Sequence, residues 1–137
     1  MKIDKSGADG RRRAVKTKEA PAPGGHYSQA ISSAGHIYVS GSGPFSPSTH
    51  KIVGGNIQTQ TRQTLKNIKA ILKAEGASLK DVVKVTVYLR NMSDFDAMDH
   101  AYKSFFPKDP PARTTVEVGL YGAERILAVD AVAIKYR

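Results

Sequence analysis

The chain has 137 residues, of which 40% are hydrophobic and 24% are charged, and this composition suits one domain with an ordinary core. It contains no cysteine, which excludes disulfide bonds, thiolate metal sites and catalysis by a thiol. It also has no run of the roughly 20 apolar residues that a membrane span requires. An apolar secretory signal is lacking as well, so we expect a cytoplasmic protein.

The formal net charge of +9 raises the question of nucleic-acid binding. Residues 1–20 carry seven Lys/Arg against three acidic residues, so nearly half of the excess positive charge lies in this short segment. The segment 21–25 is made of Pro, Ala and Gly, which do not build a core. We therefore predict a flexible basic tail over residues 1–25 and a folded domain over residues 26–137. The alternative is a tail that contacts RNA, DNA or an anionic surface.

Two short strands are predicted within residues 27–40, around a turn at Ala34-Gly35. A Pro/Ser/Thr-rich loop follows. Asn56 is a plausible N-cap for a helix over residues 57–75, and Gly76 supplies its C′ position. The apolar residues of this segment recur at helical spacing and predict an amphipathic helix laid on a sheet: Ile57, Leu65, Ile68, Ile71 and Leu72.

The clearest predicted strand covers residues 82–89, where apolar residues alternate with Lys84, Thr86 and Tyr88. A second helix is predicted from about Ser93, in a sequence that resembles a capping box, to about Phe106, where prolines follow. Two final strands are predicted over residues 113–118 and 126–135.

This order of elements predicts an α+β fold, with one mixed β-sheet and two helices packed on one of its faces. The other face of the sheet also needs cover, because strands so rich in Val and Ile are rarely left exposed to water. The chain has no further layer to supply that cover. We therefore expect a second subunit to pack on this face.

Asp130 is the most informative single residue, because it lies within the otherwise apolar run from Ile126 to Ile134. An unpaired carboxylate inside a buried strand is costly, so Asp130 needs a partner, a cleft or a proton. Two interpretations remain open. Asp130 is either a structural ion-pair or edge residue, or a functional carboxylate in a cleft.

Arg113 is the natural counterpart of Asp130. It opens a predicted strand directly after Pro110-Pro111-Ala112, and its planar guanidinium suits bidentate binding of a carboxylate. A solvated position, or an ion pair with the nearby Glu117, is the competing explanation. The four histidines show no metal-ligand spacing, so we expect no metal site.

Several segments of the chain resemble the RidA/YjgF (reactive intermediate deaminase) family, in the same order and at matching spacing. The resemblance extends from about Pro21 to Ile134, and five motifs carry it: Tyr27-Ser28-Gln29-Ala30, Ile37-Tyr38-Val39-Ser40-Gly41, the segment 60–68, the segment 82–89 and, above all, Pro111-Ala112-Arg113-Thr114-Thr115-Val116-Glu117-Val118.

The resemblance implies a chorismate-mutase-like homotrimer that uses no cofactor and has its ligand sites between subunits. It also implies hydrolytic deamination of 2-imino or enamine acids, such as 2-aminoacrylate, to 2-keto acids and ammonia. By the same resemblance, Arg113 would bind the substrate carboxylate and Asp130 would activate water. The other implied substrate-binding residues are Tyr27, Ser40, Gly41, Asp99, Thr114 and Thr115.

Four positions depart from the pattern of the well-known deaminases. Asp130 stands where Glu is usual, Thr115 where Cys is frequent, Ser42 where Gln is frequent, and Asp99 where Asn is common. These departures keep open the alternative of a non-catalytic trimer that binds small ligands. The basic tail keeps open a second alternative, an RNA-directed translation inhibitor or endoribonuclease.

Overall fold

The computed structural model describes residues 11–136. The helices and strands in this range are β1 (Arg13–Val15), β2 (Ala30–Ser33), β3 (His36–Ser42), α1 (Ile57–Ala74), β4 (Val82–Leu89), α2 (Phe95–Lys103), β5 (Ala112–Glu117) and β6 (Leu127–Ile134). The six strands form one mixed sheet in the order β1-β2-β3-β6-β4-β5. β4 and β5 are parallel, and the other neighbouring strands are antiparallel. The α+β class predicted from the sequence is confirmed.

Helix α1 begins and ends as the sequence predicts. The Asn56 side chain accepts a hydrogen bond from the Thr59 backbone N–H at 2.9 Å, which satisfies a donor of the first helical turn. After the helix, Gly76 adopts a φ of 75°, a left-handed conformation that glycine tolerates without strain.

Helix α2 begins differently from the prediction. A 3-10 turn over Met92–Asp94 precedes it, and the Asp94 side chain makes no capping bond. Instead, the Glu117 carboxylate accepts a hydrogen bond from the Met92 N–H at 2.7 Å and links this turn to the end of β5. The helix ends at Lys103, three residues before the predicted Phe106.

The core lies between the sheet and the two helices. Val85, Val87 and Leu89 of β4 and alternate residues of β6 point to the helices and are almost fully buried. The opposite face of the sheet is more open, and Tyr38 on that face is 49% exposed. Within residues 11–136, none of the helices combines the length and the hydrophobicity that a membrane span requires.

Two buried polar side chains of α1 fix loops at one end of the sheet. The Asn67 amide donates to the carbonyl oxygens of Gly43 at 3.1 Å and Phe45 at 2.8 Å. The Gln60 side chain donates to the Glu124 carbonyl and accepts from the Ile126 N–H, both at 3.0 Å. Because buried amides are costly when unpaired, these bonds tie the loops firmly to the helix.

Folded structure starts earlier than the boundary predicted at residue 26. Residues 13–15 form β1, which pairs antiparallel with β2. Val15 is 1% exposed and Ala20 is 2% exposed, so both belong to the core. The Arg13 guanidinium also pairs with the buried Glu75 carboxylate at the end of α1. One valine among basic residues gives no periodic signal, which is why composition alone indicated a tail. Residues 1–10 lie outside the described part of the chain.

A matched pair of substitutions tests this early start. Val15→Asp places an unpaired carboxylate in the core and should lower the free energy of unfolding by about 3 kcal/mol or more. Ala14→Asp places the same group on an exposed neighbour and should change it by less than about 0.5 kcal/mol. Urea unfolding monitored by circular dichroism gives both values. Equal stability of the two variants would show that β1 does not contribute to the fold in solution.

Candidate functional site: two clefts on opposite faces of the sheet

Four of the residues predicted to form a site line one open cleft of about 650 Å³: Tyr27, Ser40, Gly41 and Asp130. The cleft lies on the face of the sheet that the helices leave open. Its remaining wall comes from β4, from the loop between β5 and β6 and from the start of β6: Tyr88, Val118, Gly119, Leu120, Arg125 and Ala128.

Asp130 is held by Tyr88, which the sequence analysis did not single out. The Tyr88 hydroxyl donates a hydrogen bond to Oδ2 of Asp130 at 2.8 Å. This hydrogen bond, followed by burial, raises the pKa of Tyr88 above its ordinary value of 10.0. Tyr88 therefore stays protonated at neutral pH and remains a donor. One oxygen of Asp130 is occupied in this way, and within residues 11–136 no other side chain donates to the carboxylate.

Ser40 and Gly41 lie at an irregularity in the sheet. The register between β3 and β6 shifts between Val39 and Ser42, so the two residues between them leave the regular ladder. The Ser40 hydroxyl donates to the Ser28 carbonyl at 2.6 Å, and its N–H donates to the Gln29 carbonyl at 3.0 Å. These contacts fix the backbone at the rim of the cleft, and Gly41 has open space beside its Cα.

Arg90 holds the loop that forms the opposite rim. Its guanidinium donates to the carbonyl oxygen of Leu120 at 3.1 Å, to that of Arg125 at 2.8 Å, and to that of Gly122. The loop between β5 and β6 has no helix or strand of its own within this stretch. A single cation that satisfies three carbonyl groups therefore sets its shape.

Arg113 lies in a separate cleft next to α2. Nη1 of Arg113 donates to Oδ1 of Asp99 at 2.8 Å, and the guanidinium stacks at 4.6 Å from the ring centre of Tyr102 and 5.4 Å from that of Phe95. Lys103, Phe106, Pro110 and Pro111 complete the lining. Asp99 is thus the ionic partner of Arg113, whereas Glu117 bonds to the Met92 N–H.

Asp130 and Arg113 point to opposite faces of the sheet within one chain. Asp130 is paired with Thr86 across β6 and β4, and Arg113 is paired with Val85 across β5 and β4. Directly paired residues share a face, whereas consecutive residues of β4 alternate between faces. The two residues predicted to work together therefore do not share a cleft within one chain.

Thr114 and Thr115 lie on opposite faces of the sheet, because consecutive residues of β5 alternate between its faces. Thr114 is paired with Thr86 and lies on the face of Asp130, where its hydroxyl lies 2.7 Å from Nζ of Lys84. Thr115 is paired with the buried Val87 and lies on the face of Arg113. The predicted site residues thus form two groups, and β5 contributes to both.

Comparison with known proteins agrees with this architecture. The family model described as Endoribonuclease L-PSP matches residues 17–135. A RutC family protein of Pyrococcus horikoshii is 45% identical over 124 residues, which cover 90% of this chain and 98% of that protein. A 2-iminobutanoate/2-iminopropanoate deaminase of Mus musculus is 36% identical, with coverage of 90% of this chain and 92% of that protein.

A solved structure of similar sequence also has the same fold. The structure of the YjgF gene product of Escherichia coli superposes with a TM-score of 0.85 at 33% identity and covers 91% of this chain and 99% of that protein. The family model and these similarities extend over nearly the whole described chain, including both clefts. The chain therefore belongs to the RidA/YjgF family.

Proposed function

We propose that this protein hydrolyses small 2-imino acids to 2-keto acids and ammonia, at sites formed between the subunits of a homotrimer. The observation that carries the proposal is the Asp130 carboxylate, which lies in an apolar strand, lines a cleft and is hydrogen-bonded by Tyr88. A relative named as an imine deaminase, at 36% identity, supports the same reaction class.

The two-faced arrangement supports a site between subunits. A ligand that contacts both Asp130 and Arg113 has to lie between two protomers, because one protomer holds these side chains on opposite faces. The open face also presents partly exposed apolar side chains, among them Tyr38, and these favour burial by a second copy. Three is the number of copies that the family resemblance implies.

The proposed chemistry needs three steps from the protein. Arg113 binds the carboxylate of the imino acid through guanidinium donors that Asp99 leaves available, since Asp99 occupies Nη1. Asp130 accepts a proton from water as the water oxygen attacks the imine carbon. The proton on Asp130 passes to the nitrogen, which gives the neutral carbinolamine. Asp130 then accepts the proton of the carbinolamine hydroxyl and transfers it to the nitrogen, so the carbon–nitrogen bond breaks and ammonia leaves as the carbonyl of the keto acid forms.

Tyr88 serves as the positioning residue in this scheme. Its hydroxyl fixes Oδ2 of Asp130, so Oδ1 is the oxygen free to approach water. Because Asp130 is shorter than the Glu of the well-known deaminases, its reach depends more strongly on such fixation.

Loss of either charged side chain should abolish most of the activity. Arg113→Ala removes the carboxylate anchor and Asp130→Asn removes the base, and each should reduce kcat/KM for 2-iminobutanoate by about 100-fold or more. The assay follows ammonia released from imines that an amino-acid oxidase generates in situ. Arg62→Ala, on the exposed side of α1, is the matched control and should retain full activity.

The same variants separate the proposed roles from misfolding. Light scattering should give the mass of a trimer for all of them, and thermal unfolding should be little changed. Wild-type activity equal to the uncatalysed rate across several imino acids would refute the deaminase proposal. Full activity of Arg113→Ala would refute the role assigned to Arg113.

Asp99 should weaken the binding of anions by Arg113. The Asp99 side chain is 32% exposed and that of Arg113 is 18% exposed, so solvent screens the pair only partly. Asp99→Asn keeps an oxygen acceptor but removes the negative charge, and it should lower the Kd for 2-oxobutyrate by about 2- to 5-fold. Calorimetry measures the change. A higher Kd would show that the Asp99 charge orients Arg113 more than it competes with the ligand.

A further inference from the structure

The cleft of Asp130 contains a second charged side chain, Arg125, which the proposed reaction does not use. Four arginines within residues 11–136 are partly buried, and three of them have an acceptor in the protein. These are Arg13 with Glu75, Arg90 with three carbonyl groups, and Arg113 with Asp99. For Arg125, the structure of residues 11–136 shows neither a carboxylate nor a carbonyl acceptor, and its Nε is buried without a partner.

The stem of Arg125 is fixed by packing. Its Cδ lies so close to Gly43 that a Cβ on this glycine would be 3.2 Å away. Its Cζ lies 5.9 Å from the centre of the Phe45 ring. The Asn67 amide bonds to the carbonyls of both Gly43 and Phe45 and holds this wall in place. The guanidinium is therefore presented to the cleft by a rigid surface, as expected of a binding group.

We propose that Arg125 binds a second carboxylate of the ligand, so that the preferred substrates are 2-imino dicarboxylic acids. This inference rests on the proposed function, in which Arg113 binds the carboxylate next to the imine. The distal carboxylate then meets Arg125 in the cleft that also holds Asp130.

The charges of the cleft support a dianionic ligand. Asp130 and Arg125 are the charged side chains among its lining residues, and Arg125 offsets the repulsion that Asp130 exerts on a distal carboxylate. A monocarboxylic imino acid with an alkyl side chain would place apolar carbon beside the donors of Arg125 and offer them no acceptor. A carboxylate matches the planar guanidinium with two parallel hydrogen bonds.

Calorimetry with stable keto acids tests the inference without turnover. The probes are 2-oxoglutarate and 2-oxobutyrate, which differ in the distal carboxylate, and the variant is Arg125→Met, which keeps an apolar stem against Gly43 and Phe45. The wild type should bind 2-oxoglutarate at least about 10-fold more tightly than 2-oxobutyrate. Arg125→Met should weaken 2-oxoglutarate binding by about 10- to 100-fold and change 2-oxobutyrate binding by less than about 2-fold.

Arg62→Met is the matched control for loss of a positive charge, and it should leave both affinities unchanged because Arg62 lies on the exposed side of α1. Wild-type protein that shows no preference between the two keto acids, or binds neither, overturns the inference. So does an Arg125→Met variant that weakens both equally. An Arg125→Met variant that dissociates into smaller species in light scattering overturns it as well, since Arg125 would then pair with a neighbouring subunit.

The test also separates this inference from the proposed function. The expected binding pattern, together with ammonia release at the uncatalysed rate, would support the dicarboxylate site and refute the deaminase. Catalysed hydrolysis of 2-iminobutanoate, together with equal affinity for both keto acids, would support the deaminase and overturn the role of Arg125.

Discussion

Strand β6 lies between β3 and β4 at the centre of the sheet, and the alternation of its side chains governs the arrangement of the site. Leu127, Val129, Ala131 and Ala133 are buried against the helices, so the residues between them have to point to the other face. Asp130 is one of these. Burial of its neighbours therefore places a carboxylate on the open face, where it is accessible from the cleft and still within reach of Tyr88 on β4. The same alternation in β5 sends Arg113 to the helix side.

Polar side chains with buried amide or guanidinium groups hold the loops around this strand. Gln60 and Asn67 project from α1 to two different loops, and Arg90 closes the loop between β5 and β6. Each of these side chains satisfies backbone groups that lie outside the sheet ladder. The loop between β5 and β6, which forms one wall of the cleft, is thus held in a fixed position, as a site that acts by positioning requires.

Arg113 and Arg125, two partly buried arginines near the proposed chemistry, are held in different ways. Arg113 is neutralised by Asp99 and flanked by two aromatic rings, so its position is set before any ligand arrives. Arg125 is set by packing alone and keeps its hydrogen-bonding capacity. A ligand between subunits would contact Arg113, whose guanidinium is already oriented, at one end. At the other end it would contact Arg125, whose Nε has no acceptor within residues 11–136. Under the proposed function, this asymmetry would favour a ligand with two carboxylates over a ligand with one.

The sequence by itself determined the order of the main elements and the exceptional position of Asp130, because periodicity, caps and an acid in an apolar run are local properties. The strand at 82–89 and the helix from Asn56 to Gly76 have the predicted bounds within a residue. Only the tertiary structure decided that Asp130 pairs with Tyr88 and Arg113 with Asp99, because those pairs depend on the register between strands and on the helix that packs beside them. It also decided that Val15 belongs to the core and that Arg125 faces the cleft, because long-range packing determines both and neither leaves a periodic signal in the chain.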